Sequence, residues 1–238
     1  MASVMLKEVA DVETTDSRWN WLYRIAGVAA LILVAFIVIQ VIIFIFWPPP
    51  GTVIDYFTLF QNNKLIGLLD LDLLYITDNT LMILIYLALY AALKRTSESF
   101  MAIALTISLV GIAAYFASNT AFEMLSLSNQ YAAATTDAQR AIFLAAGQAM
   151  LSIYTGTAFD VYYVLNAAAL LIISFVMLRS KIFSKTIAYL GIMAGLLMLV
   201  PSTAGTIGIY FSLLSLLPWT IWLILFARRL FQLGSLKI

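Results

Sequence analysis

The sequence predicts an all-α, polytopic membrane bundle: six transmembrane helices, both termini cytoplasmic, and amphipathic segments on the outer face. Composition is the first of three observations behind this. Of 238 residues, 63% are hydrophobic and 11% charged, against about 45–50% and about 25% in a soluble domain. A water-soluble globule of this size could not hide that much apolar surface. The second observation is a series of six apolar runs. The third is that counting those runs as crossings puts nearly all the positive charge on one side.

The runs follow in order. Gly27 to Trp47 is broken only by Gln40, and at about 1.5 Å per residue it crosses about 30 Å of hydrocarbon. Pro48, Pro49, Pro50 and Gly51 stop it. The polar, acidic stretch before it does not resemble a signal peptide, so the run reads as a retained helix. The second span covers Gly67 to Leu93 and ends at Lys94 and Arg95. The third covers Phe100 to Leu125. The fourth lies between Gly156 and Leu178, the fifth covers Thr186 to Ala204, and the sixth Ile207 to Phe226. Residues 1–20 then form a cytoplasmic polar tail, 21–233 one transmembrane domain, and 234–238 a second cytoplasmic tail.

With the N-terminus inside, the inner segments hold Lys7, Arg18, Arg24, Lys94, Arg95, Arg179, Lys181, Lys185, Arg228, Arg229 and Lys237. The outer segments hold only Lys64 and Arg140, which completes the 13 basic residues. This satisfies the positive-inside rule, and Trp19, Trp21, Trp47 and Trp219 fall near the boundaries as an aromatic belt. A seventh crossing over Asp137 to Ile153 would be short, would contain Gln148, and would move Arg179, Lys181 and Lys185 outside. That stretch reads instead as an outer amphipathic helix capped by Thr136, with Ile142, Phe143, Met150 and Ile153 as its apolar face. Thr52 to Ile66 forms a second such element. Pro201 to Thr206 reads as a tight outer turn. Gly191 and Gly195 make a G-x-x-x-G, which suits close packing in the bundle and also offers a homo-oligomer contact.

Several functions are excluded. Cysteine and histidine are both absent, which removes disulfides, thiol nucleophiles, Cys/His metal sites and every His-based relay. The net charge of +1 suggests no nucleic-acid partner. No Lys lies mid-membrane to carry a retinal Schiff base. No P-loop, dinucleotide fingerprint or H-E-x-x-H occurs.

The informative residues are polar groups inside the spans, because each charge in hydrocarbon costs about 2.5–3.5 kcal/mol on insertion scales. Asp70, Asp72, Asp78 and Asn79 lie on the second span, Asn119 and Glu123 on the third, and Asp160, Tyr162, Tyr163 and Asn166 on the fourth. All are expected in the outer half. Helical spacing puts Asp72, Tyr75, Asn79, Met82 and Tyr86 on one stripe and Tyr115, Asn119 and Glu123 on another. Five acids there face only two bases, so some carboxylates must meet water, stay protonated or hold a cation. Asp70 and Asp72, near a helix start, read as dipole-stabilising. The candidate ligand-binding set is Asp78, Asn79, Asn119, Glu123, Asp160, Tyr163 and Asn166, with no metal site.

Some stretches carry a family resemblance. Arg24-Ile-Ala-Gly27, Leu74-Tyr-Ile-Thr-Asp-Asn79, Ala145-Ala-Gly-Gln148, Gly156-Thr-Ala-Phe-Asp160 and Ala227-Arg-Arg-Leu-Phe-Gln-Leu233 resemble the DUF4386 family of small bacterial and archaeal membrane proteins. The likeness runs from about Arg24 onward. It implies one bundle of about six helices in a prokaryotic plasma membrane and supplies no activity, cofactor or catalytic residue.

Three functions then compete. In the first, the outer carboxylates bind or transport a cation, a proton or a small cationic ligand. In the second, the chain is an integral-membrane enzyme acting on a lipid or isoprenoid. Glu123 or Asp160 would then be a neutral general acid, Asp78 the partner base, and Tyr115 or Tyr163 the orienting group. In the third, it is an accessory subunit whose polar residues only hold helices together.

Overall fold

The structure is a computed structural model that describes residues 17–235. Residues 1–16 and 236–238, and with them most of the expected tails, Lys7 and Lys237, lie outside the described residues. Apart from one short 3₁₀ turn, every element described is an α-helix.

Helix α1, Asn20–Phe46, begins earlier than the apolar run because its first turns are anchored: Arg24 Nε donates to the Gly234 carbonyl at 2.8 Å. It stops at Trp47, where the following prolines disfavour helical backbone. Two short helices follow. In α2, Val53–Asn62, Thr52 accepts from the Asp55 amide. In α3, Lys64–Asp70, Asn63 accepts from the Ile66 amide. The expected continuous span from Gly67 is therefore corrected: α4, Leu73–Leu93, starts only after Asp72. Asp72 has φ 61°, the one left-handed non-glycine residue among those described. An Asp tolerates this region better than most side chains.

The third expected span is corrected in the same way. Helix α5 covers Glu98–Ser118 and α6 covers Ala121–Ala133, so Tyr115, Asn119 and Glu123 do not share a continuous face. Where Asn119 leaves the helix, its amide group finds one local and one distant partner. Its Oδ1 accepts from the Ala121 amide at 3.2 Å and its Nδ2 donates to the Leu71 carbonyl at 3.0 Å. Tyr115 Oη donates to the Asp72 carbonyl at 3.3 Å. Side chains beside the second break thus satisfy the backbone carbonyls of the first.

Helix α7, Asp137–Tyr154, carries the full capping box, with Thr136 and Gln139 reciprocating. Thr136→Ala is expected to cost about 0.5–2 kcal/mol, read as faster amide exchange in the first turn of α7. Its buried side is set by Phe143, Leu144, Met150, Leu151 and Tyr154, whereas Ile142 and Ile153 of the expected face point outward. Helix α8, Thr157–Arg179, matches the fourth span. Helix α9, Lys185–Leu197, is capped by Ser184 and stops short of Ala204. Helix α10, Gly205–Ser235, is longer than expected and contains Pro218.

Six helices contact one another in the cyclic order α1, α4, α5, α8, α9, α10 and back to α1, while α4 and α8 barely touch across the ring. Five helical stretches are long and apolar enough to cross a membrane; α9 is a shorter apolar helix. Gly191 and Gly195 pack inside the bundle, where added Cβ atoms would lie 2.2 Å from Ser174 Oγ and 2.9 Å from Leu171 Cδ2. At one end Arg229 Nε donates to the Ile182 carbonyl and Lys94 lies over the Trp19 ring, beside the Arg24–Gly234 contact. At the other end α2, α3, α6 and α7 build a cap with its own core of Val53, Tyr56, Phe57, Phe60, Leu71, Ala121 and Met124. Ser128 fastens the cap by donating to the Phe57 carbonyl at 2.9 Å.

Candidate functional site

The ring does not close onto itself beneath the cap. A cavity of about 870 Å³ lies there, bounded by α1, α4, α8, α10 and the segments flanking them, large among sites that take small molecules. Its walls carry Asp70, Asp72 and Asp78, the tyrosines Tyr56, Tyr75, Tyr86, Tyr154, Tyr162 and Tyr163, and a mostly apolar remainder that includes Phe36, Phe44, Phe159 and Trp219. No Lys or Arg lines it. Lys64 is exposed, and Arg140 faces Asp137 at 3.8 Å on the surface.

Of the seven expected binding residues, Asp78, Asn79, Tyr163 and Asn166 line this cavity. Asn79 and Asn166 are held rather than free. Asn79 Nδ2 donates to the Tyr75 carbonyl at 2.9 Å, and Asn166 Nδ2 to the Tyr162 carbonyl at 3.0 Å. Tyr86 Oη donates to Asn166 Oδ1 at 2.8 Å in the buried interior. The other three do not line the cavity. Asn119 ties the helix breaks together, Glu123 is exposed on the cap, and the Asp160 carboxylate accepts from the Thr203 hydroxyl.

Two acids assigned above to a helix start are instead the most enclosed. Asp70 is 2% exposed, and neither of its carboxylate oxygens has a hydrogen-bond partner. Burial, and then the neighbouring Asp72, push its carboxyl up to about 6. Asp72 is also pushed up to about 6 by burial, against the opposing effect of the Tyr154 hydroxyl that donates to it. Gln40 Oε1 is a further buried acceptor without a partner, on a side chain whose Nε2 donates weakly to the Leu69 carbonyl at 3.4 Å. What encloses these residues is the fold of α3 back against α2 and α6, which apolar periodicity does not encode. Among the described residues, no three acidic side chains converge closely enough to hold a metal ion.

No curated protein and no solved structure matches the chain. The family described as a domain of unknown function, DUF4386, matches residues 25–230. That match runs from the first turns of α1 to the last turns of α10 and takes in the whole cavity, and the chain belongs to the DUF4386 family.

Proposed function

We propose that this membrane protein binds a small organic cation in the cavity beneath the cap, as a receptor or carrier for it. The unpartnered carboxylate of Asp70 carries the reading. A buried carboxylate costs several kcal/mol unless paired, and this one stands on a cavity wall without a base. An ammonium group supplies the missing charge and the missing donors. Aromatic rings around it add cation–π attraction, and the dispersed placement of the acids suits an extended organic ion better than a bare metal ion. Propylammonium, added to the purified full chain in nanodiscs, is expected to raise Tm saturably. Asp70→Asn should weaken that response about tenfold or more, since hydrogen bonds to charged groups contribute about 1.5–3 kcal/mol, and Asp78→Asn should weaken it less, through loss of a more distant charge. An equal response in both variants and the wild type would sink the reading.

The same proposal includes an orientation: six crossings in a prokaryotic plasma membrane, both termini cytoplasmic and the cap outside. Support comes from the helix ring and from the basic residues gathered at the end opposite the cap. Thr203 also reaches Asp160 in the first turn of α8, so the segment from Lys185 to Thr203 runs back along that helix. The chain has no cysteine, which makes the test clean. Ser126→Cys on α6 should react with a membrane-impermeant maleimide on intact cells, and Ser235→Cys only after permeabilisation. The opposite pattern would overturn the orientation.

A further inference from the structure

The mouth of the cavity identifies a narrower class of ligand. Six wall residues are also exposed: Val41 (40%) and Phe44 (38%) on α1, Ile209 (52%) and Leu213 (59%) on α10, and Pro49 and Thr155 in the turns after α1 and before α8. The four on the helices are apolar. Leu213 lies eight residues into α10, about 12 Å from its start at about 1.5 Å per residue, so the mouth extends well down the side of the bundle. Helices α1 and α10 are fastened at their opposite ends, where Arg24 meets Gly234 and the Phe231 ring lies 3.0 Å from where a Gly27 Cβ would stand. Their capped-end halves instead flank the opening. On either side of it the outward residues Ile45, Phe46, Tyr210, Leu214 and Leu217 are strongly exposed and hydrophobic, the surface that lipid covers. Between these two helices the opening therefore faces acyl chains rather than water.

Behind this apolar mouth the cavity is polarised along its length. Asp70 and Asp72 stand at the cap end, just before α4 begins. Met82, Leu170 and Trp219 stand deeper, Met82 being ten residues beyond Asp72 and about 15 Å farther along the helix; Asp78 lies part-way down, and the deep polar pair Tyr86 and Asn166 is bonded to itself. A molecule arriving from the capped leaflet would bring its head beside the acids and its body against this apolar floor. A phosphate-bearing lipid is disfavoured by three carboxyls and the absence of a base. We infer that the ligand is an amphipathic amine, an ammonium head on an apolar chain, admitted sideways from the capped leaflet between α1 and α10. This rests on the cationic-ligand reading above and adds to it the apolar chain and the route.

Dodecylamine, propylamine and dodecanol distinguish the outcomes, each titrated into the full chain in phosphatidylcholine nanodiscs with Tm and tryptophan fluorescence as readouts. Dodecylamine is expected to bind saturably and at least about tenfold more tightly than propylamine, because burying its chain adds apolar contact. Asp70→Asn should remove that advantage over dodecanol. Leu213→Trp, which narrows the mouth while leaving the acids intact, should weaken or slow dodecylamine and spare propylamine. If both amines bind equally in an Asp70-dependent way, or Leu213→Trp affects neither, the lateral amphiphile inference is overturned while the cationic site stands. If neither amine binds, or dodecanol matches dodecylamine in wild type and Asp70→Asn alike, the cationic site itself falls and takes the inference with it.

Discussion

Gly191→Val is expected to be severely damaging to the bundle, to the point that little folded protein is recovered from membranes. The Cβ alone would sit 2.2 Å from Ser174 Oγ and 3.0 Å from Trp222 Nε1, and valine adds two methyl groups to that collision. Trp222 cannot yield, because it is 1% exposed and stacked between Trp219 at 5.1 Å and Phe226 at 4.7 Å. Overpacking a tight core costs typically about 1–3 kcal/mol and sometimes more, and here the strain falls where α8, α9 and α10 meet. Thermal unfolding of the detergent-solubilised protein measures it. Gly191→Ala should be milder, and Ser174→Ala should partly rescue it by removing the nearest atom. Gly51→Ala, where nothing lies within 4 Å, should be neutral. A Gly191→Val protein with wild-type Tm would show that α9 does not pack as described.

The second large effect is a dependence of stability on pH that runs opposite to ordinary acid denaturation. Asp70 and Asp72 have carboxyls raised from 3.8 to about 6 in the folded protein. The native state therefore holds protons that the unfolded chain has released between those values. The stability they contribute is complete below about pH 4 and is lost as pH rises through about 6. A tenfold difference in proton affinity between the two states is worth about 1.4 kcal/mol, so each group contributes at most on the order of 3 kcal/mol. Asp78 is the other acid on the cavity wall, and no base opposes any of the three. In ligand-free nanodiscs, Tm should be higher at pH 5 than at pH 7.5. Asp72→Asn is the informative variant. It keeps an acceptor for Tyr154 and tolerates φ 61°, so it should flatten the profile without unfolding the cap, and combining it with Asp70→Asn should flatten it further. A saturating ammonium ligand should flatten the wild-type profile too. Stability that climbs steadily from pH 5 to 7.5 would contradict the burial of these acids.

Much of the fold is written in composition and in stop signals. The triple proline after Trp47, the Thr136 capping box and the Gly156 break all act locally, so their residues announce them. The helix breaks at Asp72 and Asn119 are not legible, because neither residue forbids a helix by itself. What decides them is a pair of long-range bonds: Asn119 and Tyr115 donate to the Leu71 and Asp72 carbonyls. That pairing also explains why sequence ranks the acids differently from their burial. Asp70 in a continuous helix would reach water, whereas folded back under α2 and α6 it is enclosed. Asp78, Asn79, Tyr163 and Asn166 are recoverable because α4 and α8 are regular helices, on which spacing alone assigns a face. Glu123 is misplaced by spacing because the helix that would carry its register ends five residues earlier.

The proline inside α10 gives that helix a seam. Pro218 has no amide hydrogen, so the Leu214 carbonyl loses its helical partner, and one turn away the Ser215 hydroxyl turns back onto the Ser212 carbonyl at 2.7 Å. Below the seam α10 is clamped to α1; above it stand Ile209 and Leu213 at the lip of the cavity. Mechanically, the helix is a fixed post carrying a short lever. The missing bond makes the seam the point at which α10 bends most readily, and the lip lies on the short side of it.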